Sequence, residues 1–165
     1  MNKLKNSCDI INMDGDVMNI IIEKLQKKDL KEAICIYDNN HNLKTNYDKL
    51  LSIYDDICNN PAYHNIIAKV DDKIVGLATI IINYDIVGEL KPFLTVWNFG
   101  IIKEYRRKKI GTKMFDYIYK FAKDNNCDFI SLIAETNNEV AQCFYESLGY
   151  IKEVGYVKLI DKEKW

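Results

Sequence analysis

Between positions 103 and 112 the chain reads Lys-Glu-Tyr-Arg-Arg-Lys-Lys-Ile-Gly-Thr, so Arg106, Arg107, Lys108 and Lys109 stand immediately ahead of Ile110, Gly111 and Thr112. Ile110, Met114, Ile118, Phe121 and Ala122 then recur at helical spacing, and the basic run therefore opens a helix. The chemistry this allows is anion binding. First-turn N–H groups have no intrahelical partner, and the helix dipole adds about half a positive charge there. Gly111 lets a ligand approach the backbone closely. Two plainer uses stand beside this one: a cationic helix cap, or a short nucleic-acid contact. Nucleic-acid binding normally needs an extended basic face, and a formal net charge of −1 argues against it. Neither the dinucleotide glycines nor the Gly-Lys-Ser/Thr of a P-loop is present.

A second constellation runs Asn138-x-x-Ala141-x-x-Phe144-Tyr145-x-x-Leu148-Gly149-Tyr150. Val140, Ala141, Phe144, Tyr145 and Leu148 share one helical face, so spacing alone assigns Phe144 and Tyr145 to packing. Asn138 or Asn137 can cap this helix, Thr136-Asn137-Asn138-Glu139 also reads as a capping box, and Gly149 reads as a left-handed residue closing it. Tyr145 also has a chemical use: a phenol, with a pKa of about 10, is protonated at neutral pH and can act as a general acid.

Other reactive residues form no pattern. The cysteines Cys8, Cys35, Cys58, Cys127 and Cys143 are scattered without a C-x-x-C pair, so neither a disulfide framework nor a metal site is expected. Cys143 has no histidine placed to activate it and reads as buried packing beside Phe144. His41 and His64 read as ordinary surface or turn residues. Glu135, Glu89 and Asp85 are the candidate proton acceptors, each with a solvated carboxylate as its alternative.

The elements that must position these groups follow from periodicity. Strands are predicted over 17–24, 65–70, 73–84, 95–102, 129–134 and 151–160, with Asp71-Asp72-Lys73 turning a hairpin. Helices are predicted from Asp29, where Asp29 and Glu32 form a capping box, and over 47–58, 110–122 and 138–148. The order β-α-α-β-β-β-α-β-α-β makes an α/β fold: one central mixed sheet of about six strands with helices on both faces. Residues 1–15 are polar and aperiodic, an N-terminal extension and a candidate for poor order; 16–165 form a single domain. A 48% hydrophobic and 28% charged composition is that of a folded globular chain. No apolar stretch reaches the ~20 residues a membrane span needs, and no secretory leader is evident, which favours the cytoplasm.

Taken together, the two motifs resemble those of the GNAT superfamily of N-acetyltransferases. Residues 98–112 are similar to its central motif, a strand ending in a Pro/Lys-Glu-Tyr-Arg turn whose last position opens Arg/Gln-x-x-Gly-x-Gly/Ala. Arg106 fills the Arg/Gln position and Gly111 the second glycine, while Lys109 stands where the first glycine is usual. A negative φ at Lys109 would accommodate that departure. Residues 138–150 are similar to the family's Asn-x-x-Ala-x-x-Phe-Tyr-x-x-Leu-Gly-Phe/Tyr, with every position filled.

The resemblance implies an acetyl-CoA-dependent N-acetyltransferase. The cofactor diphosphate would lie on residues 106–112. Its pantetheine would follow the strand ending near Ile102, which splays from its neighbour, and amides near Ile101 and Ile102 would polarise the acetyl carbonyl. Asn138 and Phe144 would contact the cofactor, and Tyr145 would stand beside the sulfur as the acid. The amine would attack directly, with Glu135 the first candidate base. Amino-sugar members carry an acidic pair at the positions of Trp97 and Asn98, which this chain lacks. The acceptor would be a primary amine of a small molecule or peptide, not a nucleic acid or membrane. A homodimer is expected from relatives. The alternative is a non-catalytic acyl-CoA-binding or regulatory domain of the same fold.

Overall fold

The computed structural model describes residues 6–11 and 17–158, with side chains from Met18 onward. The chain divides into two compact units, Met1–Leu132 and Ile133–Trp165. The first holds β1 (Asn6–Ile11), β2 (Val17–Lys24), α1 (Leu30–His41), α2 (Tyr47–Asn59), β3 (Tyr63–Val70), β4 (Lys73–Asn83), β5 (Phe93–Ile101), α3 (Ile110–Asp124) and β6 (Ile130–Leu132). The six strands form one sheet in chain order, antiparallel except for β5 with β6. That one parallel pair needs a crossover, and α3 supplies it. The sheet is thus mixed, as the element order implied.

Local chemistry explains the joints. Asp71 and Asp72 have φ of 49° and 66°, the two positive values of a type I′ turn, so β3 and β4 pair as a tight hairpin. Asn46 caps α2 by accepting from the Lys49 N–H at 2.9 Å. The capping box expected at Asp29 and Glu32 does not form. A turn of 3-10 helix over Lys27–Asp29 puts Asp29 at φ −92°, ψ −6° instead of the extended geometry a side-chain cap requires. Both carboxylates make tertiary contacts instead: Asp29 meets Lys69 at 3.3 Å, and Glu32 accepts from the Ile74 N–H at 3.3 Å.

Helices cover both faces. On one, Leu30, Ala33 and Ile36 of α1 and Tyr54 of α2 pack with Ile67, Ile74 and Leu77. On the other lies α3, with Ile110, Met114 and Ile118 fully buried. Gly76 is the contact point: a Cβ there would stand 2.8 Å from Met114 Sδ and 3.2 Å from Ala68 Cβ. Gly76→Ala is expected to cost about 1 kcal/mol, read as a melting temperature lower by roughly 2–4 °C, because Met114 must shift within a packed interface.

Two edge elements differ from the periodicity reading. β1 falls within the residues read as an extension: pairing runs from Asn6↔Ile22 to Ile11↔Val17. Strand formation at an edge is dictated by the partner more than by intrinsic preference, and β2 is a strongly β-forming template. Conversely, the strand expected over 151–160 is absent from residues 151–158, and 159–160 lie outside the described residues. Ile151, Val154, Tyr156 and Val157 are exposed there. Alternation supplies side chains for a strand but not the ladder partner it requires.

The second unit contains α4 (Glu139–Ser147). Asn138 caps it, accepting from the Ala141 N–H at 3.1 Å. Gly149, at φ 87°, closes it as expected, its N–H donating to the Glu146 carbonyl at 2.9 Å. Cys143 is exposed, not buried; its place next to Phe144 in sequence puts it about 100° away around the helix.

Candidate active site

β5 delivers the chain to the basic loop. The Ile102 N–H donates to the Val75 carbonyl at 2.9 Å, and a 3-10 turn over Lys103–Tyr105 follows. Arg106 then folds back: Nε donates to the Ile101 carbonyl at 3.1 Å and Nη2 to Asn40 Oδ1 at 2.6 Å. Asn40 closes the knot by donating from Nδ2 to the same carbonyl at 3.3 Å. Gly100 makes room for it, since a Cβ there would lie 3.0 Å from Asn40 Nδ2. The Arg106 guanidinium therefore ties the loop's first residue to α1 and β5. Asn40 was not identified from sequence; nothing in the run Asp38-Asn39-Asn40-His41 marks a partner 66 residues away. A groove of about 530 Å³ beside the knot reaches Arg106 but no other residue of 106–112.

Arg107, Lys108 and Lys109 are exposed. Lys108 Nζ lies 5.2 Å from the Tyr105 ring centroid, and Lys73 Nζ lies at the same distance. Arg107 and Lys109 both occupy the left-handed region, at φ 62° and 61°. Lys109 is followed directly by the helical Ile110, and such a left-handed to right-handed step turns successive N–H groups to one side, the geometry of an anion-binding concavity. α2 and α4 have asparagine caps, whereas no side chain caps α3. The first amides of α3, from Ile110 through Thr112, thus sit with three exposed cations, a donor set that fits a diphosphate.

The positive φ of Lys109 corrects the expectation that this position would be negative. A side chain there carries a strain of about 1 kcal/mol that glycine would relieve. Lys109→Gly is accordingly expected to raise the melting temperature by roughly 2 °C, after glycine's extra unfolded-state entropy is deducted. Affinity for acetyl-CoA should change less than about threefold, because an exposed ammonium contributes little. Parallel thermal melts and titrations would read both.

Pairing between β5 and β6 ends at Val96–Leu132, while β5 continues to Ile101. A bulge at Asn98, φ 51°, twists the strand where the pairing stops. The Ile102 N–H, expected to polarise a carbonyl, is committed to Val75. Ladder alternation turns Ile101's amide the other way, toward the open edge, where its carbonyl accepts from Arg106 and Asn40.

In the second unit Asn138 acts as a helix cap, one of its two open readings. Gln142 Nε2 donates to the Glu135 and Thr136 carbonyls at 3.0 Å each, fixing the entry to α4. Tyr145 is half-buried, its ring 5.4 Å from Phe144 and 6.1 Å from Tyr150. Burial, with Tyr145 adding to it, pushes the Tyr150 phenol up to about 12. Glu135 is exposed. Of the other candidate bases, both in the first unit, Glu89 pairs with Lys91, whose ammonium holds its carboxyl below the usual range. Asp85 accepts from the Val87 N–H at 3.0 Å.

His64 is not a turn residue. It sits on β3, edge-on to Phe121 at 4.6 Å, with Nε2 3.0 Å from the Pro61 carbonyl. Burial lowers its pKa from 6.5. The unfolded chain then takes up the proton first, so this group's stabilisation is present above the ordinary histidine pKa and is lost as pH falls through the folded value. The melting temperature should decline from about pH 7 to about pH 5, and His64→Phe should flatten that decline.

An uncapped, basic helix N-terminus fed by an open-edged strand gives this α/β fold the local geometry of an anion site. The chain belongs to the acetyltransferase (GNAT) family, whose model matches residues 29–150, a family that generally uses acetyl-CoA. It is similar to "Probable N-acetyltransferase san" of Drosophila melanogaster, 43% identical over 58 residues, which is 34% of this chain and about a third (32%) of that relative's length. Solved structures similar to it include a transcriptional regulator from Bacillus halodurans C-125, with a TM-score of 0.78, 17% identity, and 85% of this chain and 98% of that one covered. Glucosamine-6-phosphate N-acetyltransferase from Arabidopsis thaliana matches with a TM-score of 0.73, 17% identity, and 86% and 98% coverage. At such identities these structures establish the fold alone.

Proposed function

We propose that residues 16–165 form one catalytic domain that moves the acetyl group of acetyl-CoA directly to a primary amine in a ternary complex. The observation that carries this reading is the uncapped N-terminus of α3, set among Arg107, Lys108 and Lys109 and held by the Arg106–Asn40–Ile101 knot. Acetyl-CoA supplies an activated acetyl group as a thioester. The amides of Ile110, Gly111 and Thr112 hold the diphosphate, with the neighbouring cations neutralising it. The open edge of β5 orients the pantetheine, and the Ile101 amide is the donor offered to the acetyl oxygen. Asn138 and Phe144 are assigned to cofactor contact and Tyr145 to proton delivery, on the strength of the motif they occupy. Glu135 remains the first choice for accepting the amine's proton, directly or through water.

Release of free thiol from acetyl-CoA, measured across a set of primary amines, tests this. Amine-dependent release is expected. Thermal stabilisation by acetyl-CoA without release from any amine would instead favour the non-catalytic acyl-CoA-binding reading, for which the engaged Asp85 and Glu89 are the supporting observation.

A further inference from the structure

The sheet face that carries α1 and α2 is only partly covered by them. Ile67 and Leu77 lie under the helices. Alternation along the same strands puts Asn65, Thr79, Asn83, Thr95 and Trp97 on that face beyond them, with Tyr63, Ile81 and Phe93 interleaved. Thr79 Oγ1 donates to Asn65 Oδ1 at 2.8 Å, and Asn98 Nδ2, turned by its left-handed backbone, reaches Thr79 Oγ1 at 3.4 Å. A second row runs alongside: Asn83 Nδ2 donates to Thr95 Oγ1 at 2.8 Å, and Thr95 meets Ser131 Oγ at 3.3 Å. Trp97 is 46% and Tyr63 36% exposed at the rim. The result is a hydrogen-bonding floor with an aromatic edge.

The floor has no ionised group. None of these positions carries a carboxylate, ammonium, guanidinium or imidazole. On the connection between β4 and β5, Asp85 is engaged with the Val87 N–H, and Glu89 and Lys91 neutralise each other. Within the two rows, hydrogen bonding uses Oδ1 of Asn65 and Nδ2 of Asn83 and Asn98. That leaves a carboxamide donor on Asn65 and carboxamide acceptors on Asn83 and Asn98, the complement of an amide N–H and C=O. Trp97 also stands where β5 outlasts β6, beside the open edge assigned to the pantetheine.

We propose that this floor is the acceptor side of the active site and selects an amide-bearing amine with no charge beyond that amine. Such an acceptor is peptide-like, with its α-ammonium as the sole charge and an apolar first side chain against Trp97. The proposal rests on the acetyltransferase reading above. A second ammonium, or a phosphate, laid on this floor would lose water and gain no counter-charge. A neutral amide exchanges its water for the asparagine carboxamides.

The test compares kcat/KM for thiol release with Leu-Ala-Ala-amide, kanamycin and glucosamine 6-phosphate, with an acetyl-CoA thermal titration of the same protein. Leu-Ala-Ala-amide is expected to exceed both others by at least about tenfold. Asn98→Asp, which keeps a side chain that accepts the left-handed backbone, should lower the peptide's value and raise kanamycin's. A wild-type preference for either charged amine would overturn the proposal, as would an unchanged peptide-to-kanamycin ratio in Asn98→Asp. Stabilisation by acetyl-CoA without release from the peptide would overturn it while leaving cofactor binding intact. Absence of stabilisation would remove the cofactor reading, and this proposal with it.

Discussion

Tyr145→Phe is expected to bind acetyl-CoA as the wild type does and to transfer acetyl roughly 10²–10⁴-fold more slowly. The substitution is subtractive. Phenylalanine keeps the ring that meets Phe144 at 5.4 Å and Tyr150 at 6.1 Å, so α4 should retain its packing. The helix is also held by the Asn138 cap and the bonds from Gln142 to the Glu135 and Thr136 carbonyls. What disappears is a hydroxyl. Expulsion of a thiolate is helped by a group that is protonated at pH 7 yet can surrender its proton as charge develops, and a phenol near pKa 10 suits that role. A drop in kcat with unaltered thermal stabilisation by acetyl-CoA is the expected signature. Turnover within about threefold of wild type on a good acceptor would remove Tyr145 from the mechanism.

Arg106→Leu should have the largest effect on the loop itself. It removes charge-assisted bonds to Asn40 Oδ1 at 2.6 Å and to the Ile101 carbonyl at 3.1 Å. Bonds of this kind contribute about 1.5–3 kcal/mol when buried, and partial exposure here reduces that to about 1–2 kcal/mol. The melting temperature is expected to fall by roughly 3–6 °C. Acetyl-CoA affinity should weaken as well, since residues 107–109 lose the anchor that precedes them. Arg106→Gln can restore one donor and should recover part of both losses. Equal deficits in the leucine and glutamine variants would show that the hydrogen bonds are not what holds the loop.

Much of this arrangement was legible in the residues because it depends on periodicity. α3 and α4 each present an apolar stripe, and the type I′ turn at Asp71-Asp72 follows from two residues that accept positive φ. The basic loop was legible as composition, but its geometry was not. Lys109 sits at φ 61° because the backbone path demands it, and residue type reports that demand only when glycine is present. Pairing partners were the other blind spot. Residues 6–11 have weak β character yet join β2, while the alternating Ile151, Val154 and Tyr156 lie exposed. Asp29 and Glu32 matched a capping box, but Lys69 and the Ile74 amide compete for the same carboxylates from 40 and 42 residues away. Long-range competition of this kind has no local signature.

The melting temperature as a function of acetyl-CoA concentration tests the central claim most directly. A ligand held by the folded loop alone stabilises by mass action, about 2.7 kcal/mol at a hundred times its Kd, so the midpoint should climb steadily by roughly 5–10 °C. A midpoint that stays flat up to millimolar acetyl-CoA would contradict the assignment of residues 106–112 as its binding site.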